Sequence, residues 1–327
     1  MTNIAINGFG RIGRLFFRQM ADEKTAQIVA INDLGSIENL EYLLKYDTVY
    51  GKFDKGLEGV QVFQEKDPSK LPWGKLGVDI VVEATGVFES YEEAKTHLRA
   101  GAKRVVISAP AKDGDGKDGK TILMGVNEEE MATCKITSNG SCTTNSVAVI
   151  VQILNEKIGI AKALLNTTHG YTATQSLVDG PTRGKDMRRG RAAAQNIVPS
   201  STGAAVSVTR AVTNLANRFD GIALRVPVVA GSIADVTFLA KRKTTVEEVN
   251  DVLAKAAKSP RWKNVLAVTN EPLVSSDIVG QPYGAIVDLA MTRVVDGDLV
   301  KVLSWYDNEW GYVATLVQHV LAAAKNL

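Results

Sequence analysis

Over the first 110 residues, short apolar, β-rich runs alternate with stretches of helical period. Residues 4–7 predict a buried strand, 11–20 a helix, 27–32 a second strand and 79–83 a third. A helix over 91–100 is closed by Gly101, a residue suited to the left-handed conformation that ends helices, and 104–108 reads as a further strand. Strands that alternate with helices pair in parallel through right-handed crossovers, so this half predicts an open α/β sheet.

After about residue 140 the rhythm changes. Residues 142–157 predict a helix whose Val147, Val151 and Leu154, with Ile158 after them, share one face. No sustained apolar period runs through 170–203, which is rich in Gly, Arg, Ser and Thr, and a loop of that length is usually functional or ordered by partners. Strands are expected at 222–229, 233–240, 286–295 and 299–306. Between them a helix opens with the capping box Thr245-x-x-Glu248 and carries Val249, Val252, Leu253 and Ala256 on one face. A last helix has Val313, Leu316, Val317, Val320 and Leu321 as its stripe. Grouped strands with few crossovers make the second half α+β with a mixed or antiparallel sheet.

At 327 residues the chain is long enough for two domains. Its 38 basic and 36 acidic side chains leave a net charge of +2, so no nucleic-acid or membrane partner is expected from bulk attraction. No apolar run approaches the ~18 residues of a membrane span. The start lacks the pattern of a signal peptide, and two cysteines make no disulfide framework, so a reducing, cytoplasmic location is expected. The sequons at Asn139 and Asn166 then read as chance matches.

Three patterns carry chemistry. Gly8-Phe-Gly10-Arg11-Ile12-Gly13 follows a strand and opens a helix, where glycines admit a pyrophosphate and the helix end offers free N–H groups. Asp33 closes the next strand, placed to bind a ribose diol and to repel a 2′-phosphate, which favours NAD over NADP. Cys142 opens the 142–157 helix among hydroxyls and amides, and a thiol at a helix start is expected to fall below its usual pKa of ~8.5. Cys134 reads as a small buried residue. His169 follows a strand-like run over 163–168 and is a candidate general base for Cys142, although their separation alone does not bring them together. His97 and His319 read as solvated or structural. The loop at Asp113 has Lys117 and Asp118 where a calcium loop needs a ligand and a glycine, so no metal site is expected. Arg191 and Arg225 are the preferred anion-site candidates, whereas Arg188-Arg189 reads as solvated charge.

The stretches at 7–14, 141–145 (Ser-Cys-Thr-Thr-Asn), 171–175 (Tyr-Thr-Ala-Thr-Gln), 191–197 (Arg-Ala-Ala-Ala-Gln-Asn-Ile), 201–205 (Ser-Thr-Gly-Ala-Ala) and 305–309 (Trp-Tyr-Asp-Asn-Glu) resemble phosphorylating glyceraldehyde-3-phosphate dehydrogenases, in order and across the whole chain. The resemblance implies a Rossmann domain over 1–141, completed by a C-terminal helix at 308–327, and a catalytic domain over 142–307 built on a mixed, largely antiparallel sheet. It also implies a homotetramer with 171–203 at a subunit interface.

Cys142 would attack the aldehyde of glyceraldehyde 3-phosphate, with His169 as base and oxyanion partner. Oxidation by NAD would leave a thioester that inorganic phosphate cleaves. The family pattern maps the substrate phosphate onto Thr172, Thr174, Arg191 and Arg225, and the incoming phosphate onto Ser141, Thr143, Thr202 and Gly203. For NAD it maps Gly8, Gly10, Arg11, Ile12, Gly13, Asp33, Leu34, Thr85, Gly86, Ser108, Pro181 and Tyr312, with Asn308 on the nicotinamide carboxamide. Three places depart from that pattern: Ser146 replaces a frequent cysteine, Gly170 a common serine, and Val228-Val-Ala-Gly231 a usual Thr-Pro-Asn-Val. An erythrose-4-phosphate dehydrogenase that yields its thioester to water is the nearest alternative. A thiol hydrolase would leave the glycine turn and Asp33 unexplained, and a catalytically silent nucleotide-binding protein would not need Cys142 and His169.

Overall fold

The computed structural model describes residues 1–182 and 186–327, which divide into two compact units. The first comprises Met1–Ser141 and Val313–Leu327, the second Cys142–Tyr312.

The first unit is built on a seven-stranded sheet in which every pairing is parallel. Across the sheet the strands run Gln61–Phe63, Ala26–Asn32, Thr2–Asn7, Ile80–Glu83, Arg104–Ile107, Ile136–Ser138 and Lys120–Thr121. The central strands are buried along their length, which is why they read as unbroken apolar runs. Helix Tyr91–Arg99 starts in a capping box made by Ser90 and Glu93. Gly101 then turns at φ +108°, where a Cβ would lie 2.5 Å from Gly74 backbone. His97 and His319 are both fully buried, so neither is a solvated residue; each finds hydrogen-bond partners inside the unit. The C-terminal helix runs Trp310–Ala324, and the Asp307 carboxylate closes the turn that leads into it by accepting from the Glu309 and Trp310 N–H groups.

The second unit has a mixed, largely antiparallel sheet of seven strands. Their order is Val198–Ser201, Phe219–Val226, Ile160–Gly170, Ser232–Ala240, Leu299–Tyr306, Ala285–Val295 and Leu266–Thr269. Helices Cys142–Lys157, Ala204–Ala211 and Val246–Ala257 pack on it, and the first of these is the central one, with Val147, Val151 and Leu154 fully buried. Along Ile160–Gly170 the residues Ala163, Leu165, Thr167 and His169 are buried in alternation, while Leu164 is exposed. The strand expected at 222–229 lies instead at Phe219–Val226, since Pro227 has no N–H to continue the ladder. Among the described residues of 170–203, Met187–Gly190 and Ala193–Gln195 form short 3₁₀ turns and Val198–Ser201 an edge strand.

Candidate functional site

The first unit carries a groove of about 430 Å³ whose lining includes Gly8, Gly10, Asp33, Leu34, Lys66 and Thr85. Gly8 adopts φ +96°, and a Cβ there would lie 2.6 Å from the backbone of Ala84 and Thr85. A Cβ on Gly13 would meet the Gly8 carbonyl at 2.1 Å, so the helix starts hard against the strand end. Gly10 caps helix Arg11–Met20 with no side-chain bond and no acidic residue in the first turn, leaving the helix end open to an anion.

The Asp33 carboxylate accepts from the N–H groups of Phe9 (2.7 Å) and Gly35 (2.9 Å), which fixes it on the groove wall with lone pairs to spare. Thr85 is held from below. Its N–H donates to Glu83 Oε1 (2.8 Å), and Glu83 Oε2 is met by Asn7 Nδ2 (2.6 Å) and His97 Nε2 (3.0 Å). Trp73 Nε1–H donates to His97 Nδ1 (3.1 Å), which sets the ring proton on Nε2. Glycine cradle, open helix end and acid on the wall together fit a dinucleotide. Of the other expected cofactor residues, Ile12, Gly86 and Ser108 lie outside that lining, and the Arg11 guanidinium turns away to pair with Asp47. Pro181 is exposed and Tyr312 buried, both in the second unit.

The second unit carries a thiol–imidazole centre. Cys142 opens its helix directly after Ser141, and His169 is the inward-facing residue near the end of Ile160–Gly170. Sγ of Cys142 lies 3.3 Å from Nε2 of His169. On the far side of the ring, Nδ1 lies 2.6 Å from the Gly170 carbonyl and 2.6 Å from Arg225 Nη1. Arg225 reaches it because it stands opposite His169 in the parallel pairing with Phe219–Val226. The Tyr306 ring packs edge-on to His169, and its hydroxyl bonds those of Thr143 (2.9 Å) and Thr167 (2.7 Å).

The electrostatics correct one expectation. Removal from water raises the Cys142 thiol above its ordinary pKa; the Arg225 charge and bonds from Thr143 oppose this without overcoming it. The same burial, with Arg225 beside the ring, lowers His169 to about 3. Both shifts favour the neutral pair, where the helix end alone pointed to a thiolate.

A second correction concerns the arginines. Arg191 pairs with Asp179 (2.8 Å) and is well exposed. Arg189, read as solvated charge, instead donates to Thr174 Oγ1 (3.1 Å) and Ser200 Oγ (2.9 Å), and its charge is felt by His169 and Arg225. Thr174 Oγ1 lies 3.0 Å from Thr172 Oγ1. Arg225 Nε is buried without a partner, a donor left over for an anion. Thr202 Oγ1 accepts from the Ala204 N–H, and Gly203 caps helix Ala204–Ala211 with open space where a side chain would stand.

The residue reading also missed Tyr306 and Ser232. Tyr306 was visible inside the 305–309 motif, whereas an irregular segment gives no period by which to separate Arg189 from Arg191. Asn308 is buried and its Oδ1 accepts from Ser232 Oγ (3.0 Å). Among the described residues no cluster of three or more His, Cys, Asp or Glu could hold a metal, and no helix is long and apolar enough to cross a membrane.

Residues 2–91 match the family model described as the NAD binding domain of glyceraldehyde 3-phosphate dehydrogenase, and residues 141–308 match the model of its C-terminal domain. The chain is 45% identical to the glyceraldehyde-3-phosphate dehydrogenase of Clostridium acetobutylicum, with 99% of each protein covered. It is 45% identical to glyceraldehyde-3-phosphate dehydrogenase 2 of Streptomyces avermitilis and 44% identical to the glyceraldehyde-3-phosphate dehydrogenase of Mycolicibacterium smegmatis, again over 99% of each.

Proposed function

The chain belongs to the glyceraldehyde-3-phosphate dehydrogenase family, and from that premise we propose that Cys142 and His169 carry the NAD-dependent oxidation of glyceraldehyde 3-phosphate to 1,3-bisphosphoglycerate in glycolysis. The observation that bears most weight is the 3.3 Å approach of Sγ to Nε2. A neutral ring with its proton on Nδ1, given to the Gly170 carbonyl, would turn an Nε2 lone pair to the thiol; Arg225 Nη1, which can only donate, must then give its hydrogen to that carbonyl, 3.3 Å away, and not to Nδ1.

As Sγ bonds to the aldehyde carbon, its proton passes to Nε2 and a thiohemiacetal forms on Cys142. The imidazolium then donates to the new alkoxide and stabilises it. When bound, NAD supplies the acceptor for the hydride lost from that carbon. As the hydride leaves, the carbon–oxygen bond becomes a carbonyl, its proton returns to Nε2, and a thioester remains. An oxygen of inorganic phosphate attacks the thioester carbon, the C–S bond breaks, and Sγ recovers a proton from the ring.

Anion recognition divides between two groups of residues. Thr172, Thr174, Arg189 and Arg225 form the arginine-rich set, which suits the substrate phosphate. Thr143, Thr202 and the Gly203 N–H, with Ser141, suit the incoming phosphate. Asn308 takes the nicotinamide carboxamide, while Gly8, Gly10 and Asp33 hold the pyrophosphate and ribose. Oxidation that needs inorganic phosphate tests this assignment: NADH formation at full rate without phosphate would transfer the reading to a dehydrogenase that hydrolyses its thioester.

The working assembly is a homotetramer. Leu164, Ile222 and Leu299 are exposed on the sheet of the second unit, and Leu177, Val178, Met187 and Ile197 in the 170–203 segment, apolar side chains that a subunit interface would cover. A cytoplasmic setting would keep the Cys142 thiol reduced. Sedimentation at micromolar concentration tests the assembly, and a monomer would refute it.

A further inference from the structure

Ser232 opens the strand Ser232–Ala240, opposite Tyr306, and is almost completely buried. Its hydroxyl joins two parts of the centre. Oγ accepts the N–H of Gly170, the residue after His169, at 3.2 Å, and donates its one hydrogen to Asn308 Oδ1 at 3.0 Å. Asn308 lies in a buried turn between Asp307, whose carboxylate caps the next helix, and Glu309. An amide flip there would set an Asn308 N–H against Oγ and leave the hydroxyl hydrogen without that acceptor. The bond therefore selects one amide orientation, in which the Nδ2 hydrogens remain for another acceptor.

We propose that Ser232 is a positioning residue for NAD: by holding Oδ1 of Asn308 it aims Nδ2 at the carbonyl oxygen of the nicotinamide carboxamide. This rests on the assignment of Asn308 to the carboxamide. Because Gly170 N–H meets the same oxygen, the strand end that carries His169 and the amide that holds the nicotinamide share one anchor. The recognition of NAD and the placement of the base are thereby tied through a single hydroxyl.

The test is equilibrium binding to the full chain, by calorimetric titration of wild type, Ser232→Ala, Asn308→Ala and the double variant. The ligands are NAD and ADP-ribose, which lacks the nicotinamide. Loss of one oriented hydrogen bond weakens NAD about five- to tenfold in Ser232→Ala. ADP-ribose should bind as to wild type, which also shows that the variant is folded, and Ser232→Thr, which keeps the hydroxyl, should bind NAD within about twofold of wild type. The double variant should be no weaker than Asn308→Ala, since Ser232 acts through that amide. Unchanged NAD affinity in Ser232→Ala, equal weakening of both ligands, or additive losses in the double variant would each overturn the proposal. Wild-type NAD affinity in Asn308→Ala would instead remove the carboxamide assignment on which it stands.

Discussion

Sγ of Cys142 and Nε2 of His169 meet at 3.3 Å, where desolvation raises the thiol and, with Arg225, lowers the imidazole to about 3, so that both shifts favour the neutral pair. On that footing the thiolate is generated during attack and not stored. Iodoacetamide should consume Cys142 ahead of Cys134, which is also raised by burial but is sequestered, with its S–H donated to the Ile136 carbonyl. The Cys142 rate should keep climbing beyond pH 8.5, the ordinary thiol range. A plateau below pH 7 would reveal a resting ion pair and defeat this account. Replacing His169 with Asn should cut turnover by about 10²–10⁴-fold, the usual share of a general base.

Arg189 donates to Thr174 while Arg191 is held by Asp179. Arg189→Gln should lower kcat/KM for glyceraldehyde 3-phosphate by about 10- to 100-fold, the worth of a charged hydrogen bond to an anion. Arg191→Gln should change it by less than about threefold, since an exposed ion pair contributes little. Steady-state kinetics on the two variants decide between them, and the reverse ranking would restore Arg191 to the anion site.

His319 is fully buried, bonded to Thr137 Oγ1 (2.7 Å) and Asn139 Oδ1 (3.1 Å), and burial with the nearby Arg104 charge lowers it from 6.5 to about 3. Between those two values the unfolded chain binds a proton that the folded chain refuses, so stability falls as the pH drops below 6.5. The slope from this one group is about 1.4 kcal/mol per pH unit. His319→Gln should be less stable at pH 7, through its lost bonds, yet should lose less between pH 7 and pH 5 than wild type does. Urea midpoints at the two pH values measure this, and parallel losses would exclude His319 as a source of acid sensitivity.

What could be read from the chain alone follows what local physics encodes. The parallel sheet announced itself because its central strands are buried on both faces and so become apolar runs between amphipathic helices. Gly8 and Gly13 were legible because the demand falls on backbone conformation and close approach, and Gly10 and Asp33 because they stand in register with them at a helix start and a strand end. Strands of two or three residues, such as Lys120–Thr121 and Gln61–Phe63, have no period to detect. The burial of His97 and His319 depends on partners far away in sequence, Glu83 for one and Thr137 for the other. The Cys142 pKa went the other way for a similar reason: a helix start is visible in sequence, whereas the desolvation that outweighs it belongs to the folded surroundings.

Gly170 and the segment Val228–Gly231, each read from the sequence as a departure from the family pattern, lie in contact. A Cβ on Gly170 would stand 3.0 Å from the Val228 carbonyl oxygen and 3.6 Å from Ala230 Cα, while the Tyr171 N–H donates to that same carbonyl at 3.0 Å. Gly231 turns at φ +85°, and a Cβ there would meet the Ser275 carbonyl at 2.4 Å. The segment can lie against the strand end because Gly170 has no side chain, and it can pass Ser275 because Gly231 has none. Gly170→Ser should push the Val228 carbonyl outward by a few tenths of an ångström and cost about 1–3 kcal/mol, the usual range for overpacking. Gly231→Ala should cost more than Gly170→Ser, since positive φ and a backbone clash act together. Gly170→Ser should also slow turnover, because its own N–H holds Ser232 and its carbonyl meets the His169 ring. Restoring Thr-Pro-Asn-Val at 228–231 in the Gly170→Ser background should recover stability if the two departures compensate each other. Urea denaturation of the single and combined variants measures the coupling, and strictly additive losses would show that the two sites do not compensate each other.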